Sequence, residues 1–96
     1  MGYDVLAFVR VTVLQGSLDA TVERLAAVPE IIEANSLSGE ADLLCRVIAT
    51  GHRHFEEVLQ EILKTEGVQR TRSEIVLSRR IAPRIVPLLE KVRSGL

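Results

Sequence analysis

The chain has 96 residues, 47% hydrophobic and 26% charged, which fits one small globular domain and excludes intrinsic disorder. Lys+Arg 12 against Asp+Glu 13 leaves a net charge of −1, and aromatics are 3% with no Trp, so the sequence lacks both the basic footprint of a nucleic-acid-binding domain and a base-stacking platform. One cysteine excludes a disulfide framework and a Cys-rich zinc site, and no apolar run reaches the ~18 residues of a membrane span. The composition predicts a cytoplasmic protein with a single domain over residues 1–96, with no cofactor, no metal, no direct nucleic-acid contact and no membrane association. A core this small is modest, and oligomerisation is a common supplement.

Val5 to Val13 is the first periodic segment. Its odd positions (Val5, Ala7, Val9, Val11, Val13) are all apolar, and its even positions (Leu6, Phe8, Arg10, Thr12) are mixed. That pattern predicts a central strand with one face fully buried and the other half buried. Gly16-Ser17 breaks it, and Ser17 is suited to cap a helix. Leu18, Val22, Leu25 and Ala26 follow at helical spacing, and Pro29 ends that helix. A more polar strand runs from Ile31 to Leu37, then a turn at Ser38-Gly39-Glu40, then an apolar strand from Asp42 to Ala49. The second helix starts near His52, with a stripe of Phe55, Val58, Leu59, Ile62 and Leu63, and Gly67 is placed to end it. Val68 to Arg80 reads as a long fourth strand. Ile85, Leu88, Leu89 and Val92 predict a short last helix that needs a partner surface.

The order is β-α-β-β-α-β, with an internal echo at about 36–37 residues: Arg10-Val11 falls on Arg46-Val47, and Leu18, Val22, Leu25 and Ala26 fall on Phe55, Leu59, Ile62 and Leu63. Two split β-α-β units make an α+β, ferredoxin-like sandwich, with two helices on one face of a four-stranded antiparallel sheet. Right-handed crossovers place the first and third strands in the middle. With the all-apolar positions under the helices, Leu6, Phe8, Leu44 and Ile48 point out of the other face, with Arg10 and Arg46 among them. Burying four such apolar side chains is worth roughly 6–12 kcal/mol as an upper bound, comparable to the stability of a whole domain. An uncovered patch of that kind marks an interface. The expectation is a homodimer joined sheet to sheet, or through a shared strand edge, as a dimeric α/β-barrel-type assembly. The alternative is a monomer whose C-terminal helix folds back over the open face.

Three stretches carry a resemblance: Val28-Pro29-Glu30-Ile31-Ile32-Glu33-Ala34, Ser38-Gly39-Glu40-Ala41-Asp42-Leu43-Leu44, and Gly67-Val68-Gln69-Arg70-Thr71-Arg72-Ser73-Glu74-Ile75-Val76-Leu77. In order and at this spacing they resemble the effector-binding domain of the Lrp/AsnC (feast/famine) transcriptional regulators, also called the regulation-of-amino-acid-metabolism domain. The resemblance runs from about residue 4 to residue 80. It implies dimerisation through the sheets, further assembly into octamers or decamers, and a small effector, usually an amino acid, held in clefts between protomers or dimers. Full-length members carry an N-terminal helix-turn-helix. Strand one begins a few residues after Met1, so the expectation is a stand-alone or excised domain without its own DNA-binding half, partnered with an amino-acid-like effector or a full-length Lrp/AsnC regulator. Two positions depart from the family pattern: Ala41 stands where the family has tyrosine, and Ser73 where it has threonine. Losing the tyrosine removes a wall and a hydroxyl, which implies a wider cleft or a different ligand.

An amino acid brings a carboxylate and an ammonium, and each needs a partner where water is excluded. The resemblance assigns the effector loop to Gly39, Glu40, Ala41 and Asp42. Turn N–H groups suit the carboxylate and Asp42 suits the ammonium. Thr71 and Ser73 are candidate hydroxyl donors. Each has a plainer reading: Gly39 as a turn glycine, Asp42 as a turn-capping carboxylate, Thr71 and Ser73 as exposed strand polarity. Leu6, Phe8, Arg10, Leu44, Arg46 and Ile48 are the candidate dimer interface. His52 and His54 are two apart, so they share no helix face and read as a solvated helix start. Cys45 reads as core, and Arg70, Arg72, Arg79 and Arg80 as a solvated strand face.

The leading functional reading is a non-enzymatic sensor of an amino-acid-like effector in Lrp/AsnC-type transcription regulation. The alternatives are a small dimeric enzyme of the cofactor-independent monooxygenase type, by fold analogy alone, and a ligand-free assembly module. An enzyme needs a poised His, Tyr or Asp in the sheet–helix cleft, whereas both histidines sit at a helix start and the only tyrosine is Tyr3.

Overall fold

The computed structural model describes residues 4–38 and 42–95. Seven elements follow one another: β1 (Val5–Val13), α1 (Leu18–Leu25), β2 (Ile31–Ser36), β3 (Asp42–Ala49), α2 (His52–Lys64), β4 (Val68–Ile75) and α3 (Val86–Arg93). The strands form one antiparallel sheet in the order β2-β3-β1-β4, so the two most apolar strands are central. This is the ferredoxin-like α+β arrangement that the pattern predicts. Among the described residues no helix is long and apolar enough to cross a membrane.

The core is built from the odd positions of the central strands. Val5, Ala7, Val9, Val11 and Val13 of β1, with Leu43, Cys45, Val47 and Ala49 of β3, are buried together with Leu25, Phe55, Val58 and Ile62 of the helices. The buried stripe of α1 differs from the expected one. Thr21, not Val22, takes the inward position between Leu18 and Leu25, and Val22 is left exposed. The reason is phase: positions 18, 21 and 25 share one helix face, and residue 22 lies at its margin. Leu63 is exposed for the same reason at the edge of α2's face. Ser17 makes no side-chain capping bond; its carbonyl accepts from the Thr21 N–H at 2.9 Å.

β4 ends at Ile75, five residues short of the expected Arg80. It is an edge strand whose one ladder partner among the described residues is β1, and β1 runs out near Leu6, whose carbonyl takes the last bond from the Val76 N–H at 2.8 Å. Beyond it the chain leaves the ladder, and Val76, Arg79, Arg80, Ile81 and Pro83 border a groove with Leu6, Phe8 and Arg46 at the apolar end of the open face. α3 buries none of its residues, and Ile85, Val86, Leu88, Leu89 and Val92 are all more than half exposed. The radius of gyration is 16.2 Å, against roughly 12–13 Å for a compact domain of this length. The C-terminal helix therefore does not cover the open face of the sheet within this chain.

Candidate functional site

The open face is set by strand register. Residues opposed in an antiparallel ladder share a face, so four cross-strand rows can be read off the pairing. Asp42, Thr12 and Arg70 form the first; Leu44, Arg10 and Arg72 the second; Arg46, Phe8 and Glu74 the third; and Ile48 with Leu6 the fourth. The face therefore grades from a charged end near Asp42 to an apolar end near Leu6. Leu6, Phe8, Leu44 and Ile48 are half-buried there, less covered than the core positions between them.

Charged groups on this face are paired sparsely. Arg46 Nη1 donates to Glu33 Oε1 on β2 at 3.0 Å, and Asn35 supports the same carboxylate at 3.3 Å. These bonds, Arg46 first, hold the Glu33 carboxyl below its ordinary range. The Nε of Arg46 is buried without a partner among the described residues. Arg10 Nη1 reaches Asp42 Oδ2 at 3.4 Å, a long contact, with the Arg10 side chain 49% exposed.

Around that pair lies a cleft of about 740 Å³, lined by Arg10, Thr12, Asp42, Arg70, Thr71 and Arg72. The structure thus brings Asp42 together with Arg10, one of the expected interface residues, and with two arginines read from the sequence as solvated strand polarity. Composition hid Arg70 and Arg72 among interleaved acids; only the register with Thr12 and Arg10 brings them to the cleft. Thr71 borders the cleft, but it pairs with Val11 and Ser73 pairs with Val9, so both hydroxyls stand on the helix side of β4, opposite Asp42. Gly39, Glu40 and Ala41 lie outside the described residues.

The histidines part company. His52 is exposed, whereas His54 is half-buried and hydrogen-bonded, not solvated. Its Nδ1 accepts from the Thr50 N–H at 3.0 Å and its Nε2 meets Glu30 Oε2 at 2.8 Å. The sequence signal was a carboxylate just after Pro29, where the chain returns beside the start of α2. Cys45 is fully buried in the core, as its position on the apolar face implies. Among the described residues no three His, Cys, Asp or Glu side chains gather as a metal site.

Comparison with known proteins agrees with this geometry. The family model for the Lrp/AsnC ligand binding domain matches residues 6–86. The chain is 31% identical over 77 residues to the HTH-type transcriptional regulator FL11 of Pyrococcus horikoshii, covering 80% of this chain and 51% of that protein. The chain spans about half the length of the curated relatives it matches. Among solved structures, the feast or famine regulatory protein of Mycobacterium tuberculosis, complexed with L-methionine, superposes with a TM-score of 0.74 at 34% identity, covering 86% of this chain and 56% of that one. AsnC of E. coli superposes with a TM-score of 0.81 at 24% identity, covering 88% of this chain and 58% of that one, a likeness of fold. With a family model spanning most of its length, from the first strand to the start of the last helix, the chain belongs to the Lrp/AsnC family through its ligand binding domain.

Proposed function

We propose that this domain binds an amino-acid-like effector where subunits meet and couples occupancy to assembly, as the sensing part of a transcriptional regulator. The observation that carries the reading is a coincidence of place. The polar cleft around Asp42 opens on the sheet face that no helix covers among the described residues, its apolar end bordered by the segment from Val76 to Pro83. A sister subunit laid on the apolar end of that face, against Leu6, Phe8, Leu44 and Ile48, walls the cleft and excludes water from it. The mycobacterial relative solved with L-methionine supports an amino acid as the ligand class.

In this reading Asp42 takes the ligand ammonium through a charge-assisted hydrogen bond. Gly39, Glu40 and Ala41, next to Asp42 in the chain, complete the loop. Thr71 and Ser73 supply hydroxyls from around the free edge of β4 or from a second subunit. Assembly proceeds from dimers to octamers or decamers. Occupancy shifts the assembly only if the ligand binds one state more tightly than another. DNA contact then falls to a DNA-binding portion or to a full-length regulator joined through the same sheets. The domain acts in the cytoplasm as a binding module, not as an enzyme: His54 is held by Thr50 and Glu30 and does not border the cleft.

A thermal-shift screen of the common amino acids tests this. At least one raises the melting temperature, and Asp42→Ala abolishes that shift. Silence from every amino acid removes the sensor reading and leaves an assembly module; an undiminished shift in Asp42→Ala removes the assignment of the ammonium site.

A further inference from the structure

Arg10 and Arg72 stand directly opposite each other across β1 and β4, and Arg70 follows one row along, opposite Thr12. Like charges so placed destabilise a sheet. They are not the overflow of a basic chain, because the net charge is −1. Asp42 is the one carboxylate among the described residues lining the cleft, and it reaches only Arg10, at 3.4 Å. Glu74 flanks Arg72 in the adjoining groove with Phe8 and Leu44, outside the cleft itself. Among the described residues, three guanidinium groups and one carboxylate therefore face a single cleft of about 740 Å³.

A molecule with one ammonium and two carboxylates comes nearer to balancing this pattern than one with a single carboxylate. We infer that the effector is an acidic amino acid. Its ammonium meets Asp42 and its two carboxylates are shared among Arg10, Arg70 and Arg72, with the Thr12 hydroxyl at the same edge. Guanidinium forks suit carboxylates in pairs of parallel N–H···O bonds. A neutral amino acid leaves two guanidinium groups without a counter-charge as the sister subunit closes the cleft, an acidic one leaves one, and a basic one adds a fourth cation to it. This inference rests on the proposed effector site and adds the ligand's charge.

Isothermal titration of the full chain at matched ionic strength tests it, using L-aspartate and L-glutamate against L-asparagine, L-glutamine, L-leucine, L-methionine and L-lysine. The acidic pair binds at least tenfold more tightly than its amide isosteres. Arg70→Gln and Arg72→Gln, both at exposed positions, each cost the acidic ligand tenfold or more while circular dichroism shows the fold retained. Equal or tighter binding of an amide, leucine, methionine or lysine overturns the inference and leaves the sensor reading standing. Binding of succinate as tight as aspartate overturns the role of Asp42 and reduces the cleft to an anion site. No binding by any amino acid overturns both the inference and the reading beneath it.

Discussion

His54 and Glu30 meet through Nε2 and Oε2 at 2.8 Å, across 24 residues of chain. Because the Thr50 N–H donates to Nδ1, the neutral ring carries its hydrogen on Nε2 and donates it to the carboxylate. The contact ties the first turn of α2 to the residue that enters β2. The His54 hydrogen bond is the main cause, and with a backbone bond it outweighs burial and holds the Glu30 carboxyl below its usual 4.5. A lowered carboxyl stabilises the fold above its unfolded value and loses that contribution as the pH falls through its folded value. Glu30→Gln is therefore expected to cost roughly 1 kcal/mol at pH 7. In urea titrations the gap between variant and parent closes as the pH drops below 4.5; a gap unchanged at low pH contradicts the assignment.

Gly67 and Thr21 form a second close pair. Gly67 lies at φ +99, and a Cβ built there collides with Thr21 Oγ1. Gly67→Ala meets both a backbone penalty and an overpacked contact, together about 2–4 kcal/mol of destabilisation. The Thr21 hydroxyl is buried with no hydrogen-bond partner among the described residues. Thr21→Val keeps the shape and removes that cost, so it is expected to stabilise by about 1 kcal/mol. Chemical denaturation of the two variants checks both signs.

Cys45 is fully buried, and burial pushes its thiol up to about 11. Thiolate is the reacting form, so the native protein resists thiol reagents at pH 8. Labelling is expected to follow the unfolding rate, and prompt stoichiometric labelling of the folded protein contradicts a core position.

Much of the architecture was legible because periodicity reports burial directly. The alternation of Val5 through Val13 and of Leu43 through Ala49 fixes both the central strands and the face that meets the helices. The differences between pattern and structure share one cause: a single sequence shows what a residue is and not what stands beside it. Thr21 is polar, so the apolar pattern points to Val22, although helix phase puts Thr21 inward. The run to Arg80 reads as strand, yet β4 stops where its neighbour β1 stops. The cleft was half legible. Asp42 was visible from its motif, but Arg70 and Arg72 join it only through a register that no local pattern states, and the same register turns Thr71 and Ser73 to the opposite side.

The account depends most on the bare side of the sheet. Phe8 and Leu44, with Leu6 and Ile48, are left half-covered by their own chain, and α3 buries none of its residues. Size-exclusion chromatography with light scattering, at micromolar concentration, measures the consequence. A mass of at least twice the 10.6 kDa chain is expected, falling to that of a single folded chain in Phe8→Asp. A parent protein that elutes as a clean 10.6 kDa monomer contradicts the claim that a sister subunit completes the sheet and the cleft.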